Sequence, residues 1–406
     1  MRNAAAAPRC ALNKVVRSLP VKAIRSLSLG GQLKEFREAL QAWFAQFQRD
    51  LPWRRSGDPY HIWISEIMLQ QTRVAAVIPY YERFLERFPD VQALAAAPEE
   101  EVLRMWSGLG YYSRARNLQQ AAKQLVAKHG SEFPRTKAEV LELAGIGDYT
   151  AAAILSIAFG EKLAVLDGNV ARVLARLDAM RADLRGPGRW HELQKRADEL
   201  LACEAPGDWN QAMMELGATL CTPRAPQCLL CPVQRFCNAQ KLGLADEIPP
   251  KRAKRAAVVI RLAAAVFLDG KGKSLLLPPP TSANGNKDDD HVPSLVAKLW
   301  HIPIVSTAGN TETELKRFMK QEFVLRDSTP LVLEPLAKVR HTVTYRRIEV
   351  APFLIRMKSL PRISGARALR LDAILQEPIS NLTRKVAQAA IKKLASEPKK
   401  LTSKVD

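Results

Sequence analysis

Four of the chain's six cysteines fall in one short segment: Cys221, Cys228, Cys231 and Cys237, separated by six, two and five residues. Four thiols this close in sequence tie a loop to a common centre. The crowding reads as metal binding ahead of disulfide pairing. It suits either a 4Fe–4S cluster or a tetrahedral zinc. Zinc knuckles carry two close pairs, and here only Cys228 and Cys231 are so close. Pro223, Pro226 and Pro232 stiffen the loop, and Arg224 within it is placed to touch phosphate. Cys10 and Cys203 stand apart and read as plain thiols.

The cysteine loop closes a segment, 31–238, whose apolar residues recur at helical spacing, as in Leu33, Phe36, Leu40, Trp43, Phe44 and Phe47. Pro and Gly punctuate it and no run of alternating strands appears, so an all-α domain is expected. Residues 239–256 turn basic and proline-containing and read as a solvated linker. From 257 to 396 the pattern is α+β. Strands are expected at Val258–Leu268, Ser274–Leu277 and Thr342–Val350. A mobile loop is expected over 278–294, a helix opened by Thr311 and Glu314, and a last helix over Leu382–Leu394. Residues 397–406 form a polar tail. Residues 1–30 hold six basic side chains and no acid. They suit a disordered basic arm or a misassigned start ahead of a targeting segment.

The 406 residues suit two domains. With 61 basic residues against 41 acidic ones, the net charge is +20, which points to a polyanionic partner. No apolar run is long enough to span a membrane.

Glu66 sits in His61-Ile62-Trp63-Ile64-Ser65-Glu66-Ile67-Met68-Leu69, among apolar neighbours on an expected helix. A carboxyl buried without partners keeps its proton, as a general acid requires. A solvated stripe or an arginine partner would remove that property. Leu143-Ala144-Gly145-Ile146-Gly147-Asp148-Tyr149 is a Gly-x-Gly turn between helical runs. It reads as a helix–helix turn or as a hairpin whose backbone N–H groups face phosphate. Asp167-Gly168-Asn169 reads as a turn or helix cap. Beside Glu66, Asp167 supplies a second carboxylate, the pairing glycoside hydrolysis uses.

These elements in this order, with Leu51-Pro52-Trp53-Arg54, Gly108-Leu109-Gly110-Tyr111-Tyr112 and Asn210–Gly217, resemble the helix-hairpin-helix DNA glycosylases. More narrowly, they resemble adenine DNA glycosylases of the MutY type. The resemblance implies a multidomain chain: an all-α glycosylase domain with a 4Fe–4S loop at 221–237, and a Nudix-like α+β domain. It implies a monofunctional enzyme that hydrolyses the N-glycosidic bond of adenine opposite 8-oxoguanine or guanine in double-stranded DNA. Glu66 becomes the general acid and Asp167 the group that stabilises the sugar cation. Tyr149 and Asn169 support these carboxylates. Tyr149 holds the position where lyases carry lysine, so no Schiff base is expected. Gln71 and Tyr111 enter the base stack, Gly145, Gly147 and Arg224 contact the DNA backbone, and Arg49, Trp53 and Gln211 line the adenine pocket. Four cysteines hold the cluster. Val343, Thr344 and Tyr345 occupy the lesion-reading turn, where the family carries Phe-Ser-His, so only the hydroxyl is kept. The acidic Nudix box after His301 is missing, and no hydrolysis of free nucleotides is expected. A monomer is expected, in a bacterial cytoplasm at the nucleoid, with a mitochondrial or nuclear location as the alternative that the basic N-terminus leaves open. The rival readings are an endonuclease III-like pyrimidine-lesion glycosylase/lyase and a non-enzymatic iron–sulfur DNA-binding protein.

Overall fold

In a computed structural model, which describes residues 30–202, 204–250, 255–279, 299–323 and 331–397, helix α1 (Leu33–Phe47) forms where Phe36, Leu40 and Phe44 recur every fourth residue. All three are buried. Cys10, Cys203, the N-terminal arm to residue 29, the loop from residue 280 and the tail from 398 lie outside the described residues. The chain forms two compact units. The first lies within the bounds Met1–Trp63, Pro134–Glu142 and Ile146–Arg252, and the second within Ile64–Phe133, Leu143–Gly145 and Ala253–Asp406.

The first unit is helical: α1, the start of α2 (Pro59–Leu69), α7 (Lys137–Leu141), α8 (Asp148–Phe159), α9 (Gly168–Leu177), α10 (Arg189–Leu200) and α11 (Pro206–Thr219). Helix α11 lies against α1, α8 and α9. Phe36 meets Trp209 and Phe236 edge-on, with ring centroids 5.7 and 5.5 Å apart. The stretch after residue 238, read from sequence as solvated linker, is packed instead. Asn238–Lys241 is a short helix, α12, and Ala239, Leu244 and Ile248 are buried with Ala175 and Ala179. Leu244 and Ile248 anchor it at helical spacing, and apart from Lys241 the basic residues begin only after them.

The second unit contains α3 (Val74–Arg87), α4 (Val91–Ala96), α5 (Glu99–Met105) and α6 (Ser113–His129), together with the C-terminal α/β region. There β1 (Val258–Leu268) pairs antiparallel with β3 (Ile304–Ser306) and parallel with β6 (Arg346–Arg356). Strand β6 also pairs with β4 (Glu334–Pro335) and β5 (Val339–Val343), completing a five-stranded sheet. Ala263, Ala265 and Phe267 face Leu315, Met319 and Phe323 of α13 (Thr311–Glu322). Leu262, Ala264 and Val266 face the cluster holding Leu382 and Val386 of α15 (Asn381–Ala395). Burial on both faces from Leu262 to Leu268 explains why that part of β1 is one unbroken apolar run, while its first four residues, Arg261 among them, are not buried. A second sheet pairs β2 (Lys273–Leu276) with β7 (Arg367–Arg370), which leads into α14 (Leu371–Ile374).

Two details differ from the expectation. The single strand expected over Thr342–Val350 is a hairpin, β5 and β6, because Thr344 turns the chain with φ +54°. Helix α13 is capped by Asn310, whose Oδ1 accepts from Thr313 N at 3.0 Å, and not by Thr311. Glu314 reaches back to Ala308 N and Gly309 N. Among the described residues, no helix is long and apolar enough to cross a membrane.

Candidate active site

Glu66 is buried, 7% exposed, on a helix whose Trp63, Ile64 and Met68 are wholly buried. A helix apolar on every side offers no solvated stripe, so Glu66 does not lie on one. It belongs to the second unit.

The end of that helix is held by a residue the sequence reading passed over. Arg114, on α6, donates through Nη1 to the carbonyls of Ile67, Met68 and Gln70 at 2.8, 2.9 and 2.6 Å. Through Nη2 it donates to Thr72 Oγ1 and Gly110 O, each at 3.2 Å. Its guanidinium also lies over the rings of Trp106 and Tyr111. Burial lowers its pKa to about 10. One buried cation therefore satisfies the open carbonyls of a helix end and ties together the two turns that carry Gln71 and Tyr111. Both residues adopt positive φ, +56° and +49°. Both are exposed.

In the first unit, Asp167 caps α9. Its Oδ1 accepts from Asn169 N and Val170 N at 2.9 and 2.7 Å, and its Oδ2 from Asn169 Nδ2 at 2.9 Å. Burial raises its pKa above the usual aspartate value, against the pull of these bonds and of the Arg172 charge. Arg172 in turn donates to Asn169 Oδ1 at 2.9 Å, to Gly217 O at 2.8 Å and to Cys221 O at 2.8 Å. A continuous chain of bonds thus runs from the cysteine loop to Asp167. Asn169 supports Asp167 as expected. Tyr149 Oη lies 3.1 Å from Met214 Sδ.

The motif Asn210–Gly217 has a legible purpose on α11. Asn210, fully buried, accepts from Val165 N at 3.1 Å and donates to Leu163 O and Ser156 Oγ, each at 2.8 Å. It therefore fixes the extended segment that delivers Asp167. Gly217 lets α11 approach the start of α9. A Cβ there would stand 2.8 Å from Asn169 Cβ and 3.2 Å from its backbone. Glu215, 1% exposed, accepts from Arg49 Nε at 2.6 Å, Arg49 Nη2 at 2.8 Å and Arg54 Nη2 at 2.9 Å. Burial pulls its pKa up, but the bonds and charges of Arg49 and Arg54 more than offset this and leave it low. Arg49, expected in an adenine pocket, is thus committed to an ion pair. Trp53 is buried and Gln211 is half-buried.

Helices α7 and α8 flank the glycine turn, as a hairpin requires. Gly145 has φ +78°, and a Cβ on it would meet Asn117 Cβ at 2.6 Å. Gly147 caps α8 in extended conformation. Arg224 is exposed.

The four cysteines line one hollow with Arg176, whose Nη1 lies 3.2 Å from Cys221 Sγ. Burial pushes the Cys231 thiol up to about 12, and raises Cys228 and Cys237 as well. Such thiols ionise only against a compensating positive centre. Among the described residues, no three of His, Cys, Asp or Glu converge closely enough to hold a metal ion.

At the C-terminal hairpin, exposed Thr344 donates its hydroxyl to Val343 O at 2.7 Å. The guanidiniums of Arg255 and Arg346 lie over the Tyr345 ring, 3.8 and 5.6 Å from its centroid.

The sequence reading missed Arg114, Asn210, Glu215 and Arg172 as site-builders. For Asn210, Glu215 and Arg172 the signal available was a charged or amide residue embedded in an apolar helical stretch; Arg114, among Ser113, Arg116 and Asn117, gave none.

Residues 64–197 match the model of the HhH-GPD superfamily of base excision DNA repair proteins. That segment contains Glu66, Tyr149, Asp167 and Asn169. Over 220 residues, 52% of this chain, it is 48% identical to the adenine DNA glycosylase of Homo sapiens; over 214 residues, 50% of the chain, it is 50% identical to that of Mus musculus. The matched stretch covers 40% and 41% of those proteins. A solved thermostable thymine-DNA glycosylase aligns with 53% of this chain and 99% of its own, at 28% identity and a TM-score of 0.49.

Proposed function

We propose that this chain is a monofunctional DNA N-glycosylase that releases adenine opposite 8-oxoguanine, and opposite guanine, from double-stranded DNA. The observation that carries the reading is Glu66: a buried carboxyl on an apolar helix, inside the segment that matches base excision repair proteins, in a chain about half identical to adenine DNA glycosylases over half its length.

In this reading Glu66 gives its proton to the adenine ring as the bond between N9 and the sugar C1′ breaks. The departing base takes the bonding electron pair. Asp167, ionised and held by two backbone N–H groups and Asn169, faces the positive charge left on the sugar. Glu66 then takes a proton from the water that adds to C1′. Tyr149 offers no amine, so the sugar forms no Schiff base and the strand stays intact. Gln71 and Tyr111, preset with positive φ, fill the space left when adenine leaves the stack.

Cys221, Cys228, Cys231 and Cys237 would hold a 4Fe–4S cluster. Their thiols line one hollow, and their spacing, with only Cys228 and Cys231 as a close pair, suits a multi-iron centre better than a zinc knuckle. Bound there, the cluster would supply the positive charge that buried thiolates need; Arg172, on α9, ties Cys221 O of that loop to Asn169. The C-terminal region is read as Nudix-like, with the Val343-Thr344-Tyr345 turn facing the oxidised base. With its hydrogen given to Val343 O, Thr344 Oγ1 meets a lesion as an acceptor, or turns to donate. The chain acts as a monomer, in a bacterial cytoplasm.

The test is single-turnover base release from duplexes holding adenine opposite 8-oxoguanine, adenine opposite guanine, and thymine glycol opposite adenine. Adenine release without strand cleavage, fastest opposite 8-oxoguanine, is expected. Thymine glycol release with a borohydride-trappable intermediate would assign the chain to the lyases.

A further inference from the structure

The turn Ser107–Tyr112, which carries exposed Tyr111, is a strained piece of backbone. Gly108, Gly110 and Tyr111 all have positive φ, at +113°, +75° and +49°. A residue with a side chain holds such a conformation only where its surroundings fix it. The helices supply part of that support. Tyr80 Oη donates to Ser107 O at 3.1 Å, and Trp106 Nε1 and Arg114 reach Gly110 O at 3.1 and 3.2 Å.

The rest comes from the C-terminal region of the same unit, from residues 375–384. Arg384 donates through Nη2 to Ser107 Oγ and through Nη1 to Leu375 O, both at 2.8 Å. Ser107 Oγ donates onward to Glu377 O at 3.4 Å. Tyr112 Oη donates to Ile379 O at 2.7 Å while accepting from Gly108 N at 3.3 Å. Asn381 Nδ2 donates to Gly108 O at 3.3 Å. The contact is braced beside the turn. Arg367 bridges Glu100, at 2.5 and 3.0 Å, to Glu377, at 2.7 Å. The Arg384 Nε is buried with no partner. That cost is borne in a geometry that commits both terminal nitrogens to the turn and its anchor.

We propose that Arg384 is a positioning residue. Through it, with Asn381 and the 377–379 backbone, the C-terminal region sets the conformation of the turn that presents Tyr111 to the duplex. The helical half of the chain does not complete this turn alone, so the region read as lesion-sensing also governs how Tyr111 meets the base stack. The inference rests on the reading that Tyr111 enters DNA during base release. It requires neither the Nudix likeness nor any particular lesion contact.

The test is a double-mutant cycle in the full chain. It is read by single-turnover adenine release and, separately, by the dissociation constant for the same adenine–8-oxoguanine duplex. Arg384→Ala should slow release about tenfold, the loss expected for one charge-assisted hydrogen bond. In a Tyr111→Ala background, the same change should cost less than about twofold, because the group it positions is gone. Arg384→Lys, which keeps one charged donor, should recover part of the rate. A role in stability alone predicts the same factor in both backgrounds, and that result overturns the proposal. So does an Arg384→Ala rate within about twofold of wild type. Should Arg384→Ala lose its cooperative melt, Ser107→Ala, which deletes only a hydroxyl, takes its place in the same cycle. A wild-type chain that releases no adenine refutes the glycosylase reading, and the binding cycle then judges the clamp by the same criterion of non-additivity.

Discussion

Glu215 offers a quantitative test of how the first unit is held together. Its carboxylate is 1% exposed and receives bidentate bonds from Arg49 and a further bond from Arg54. Glu215→Gln keeps the shape, removes the charge and leaves two guanidiniums facing an amide. Breaking a fully buried pair costs about 3–5 kcal/mol. Arg54 is 12% exposed and approaches that limit, but Arg49 is 38% exposed, and water recovers much of its loss. Exposed pairs are worth only about 0–1 kcal/mol, so the expected destabilisation is about 2–3 kcal/mol. Thermal unfolding at neutral pH should fall by roughly 5–10 °C. The pH dependence carries a sign. Glu215 has a lowered pKa in the folded chain. Its contribution is therefore fully present above the unfolded glutamate pKa of about 4.3. It is lost as pH falls below that value through the depressed folded one. The melting gap between wild type and Glu215→Gln should hold from neutral pH down to that range and then narrow. Equal melting temperatures at neutral pH, or a gap that widens on acidification, would refute the argument.

Three further outcomes follow from the same geometry. Arg114→Ala removes the donors from three carbonyls at the end of α2 and should destabilise the chain by about 3–4 kcal/mol, measured by urea unfolding. Arg114→Lys should recover only part of this, because an ammonium lacks the planar fork. Base release that needs ionised Asp167 should fail as pH drops through its raised pKa. The acid limb of the rate profile should therefore lie above the ordinary aspartate value of about 3.9, and a limb at or below it would contradict burial as the dominant influence. Gly217→Ala should slow adenine release more than it weakens duplex binding, since its Cβ would push on Asn169 and through it on Asp167. Equal losses in both would show that the contact serves folding alone.

Periodicity made α1 legible, the apolar stretch up to Leu268 marked β1 as a strand, and Pro and Gly punctuated the helical segment. The cysteine spacing placed four thiols around one hollow. What escaped the sequence reading was of one kind: polar groups whose partners lie far along the chain. Arg114 meets α2 from more than forty residues away, and Glu215 meets Arg49 from 166. Nothing local distinguishes such a buried arginine from a surface one. The packed stretch after residue 238 was misread because its apolar anchors, Leu244 and Ile248, are few and lie next to a basic run. The hairpin at Thr344 was hidden because a threonine, rather than glycine or asparagine, adopts the positive φ.

The account stands most directly on Glu66. Glu66→Gln preserves the side chain's shape within the apolar helix and removes the proton it is meant to give. Single-turnover adenine release and duplex affinity should be measured on the same preparation. The account predicts that release is abolished while the dissociation constant for the adenine–8-oxoguanine duplex stays near that of wild type. Release at close to the wild-type rate would contradict it and take the general acid away from this carboxyl.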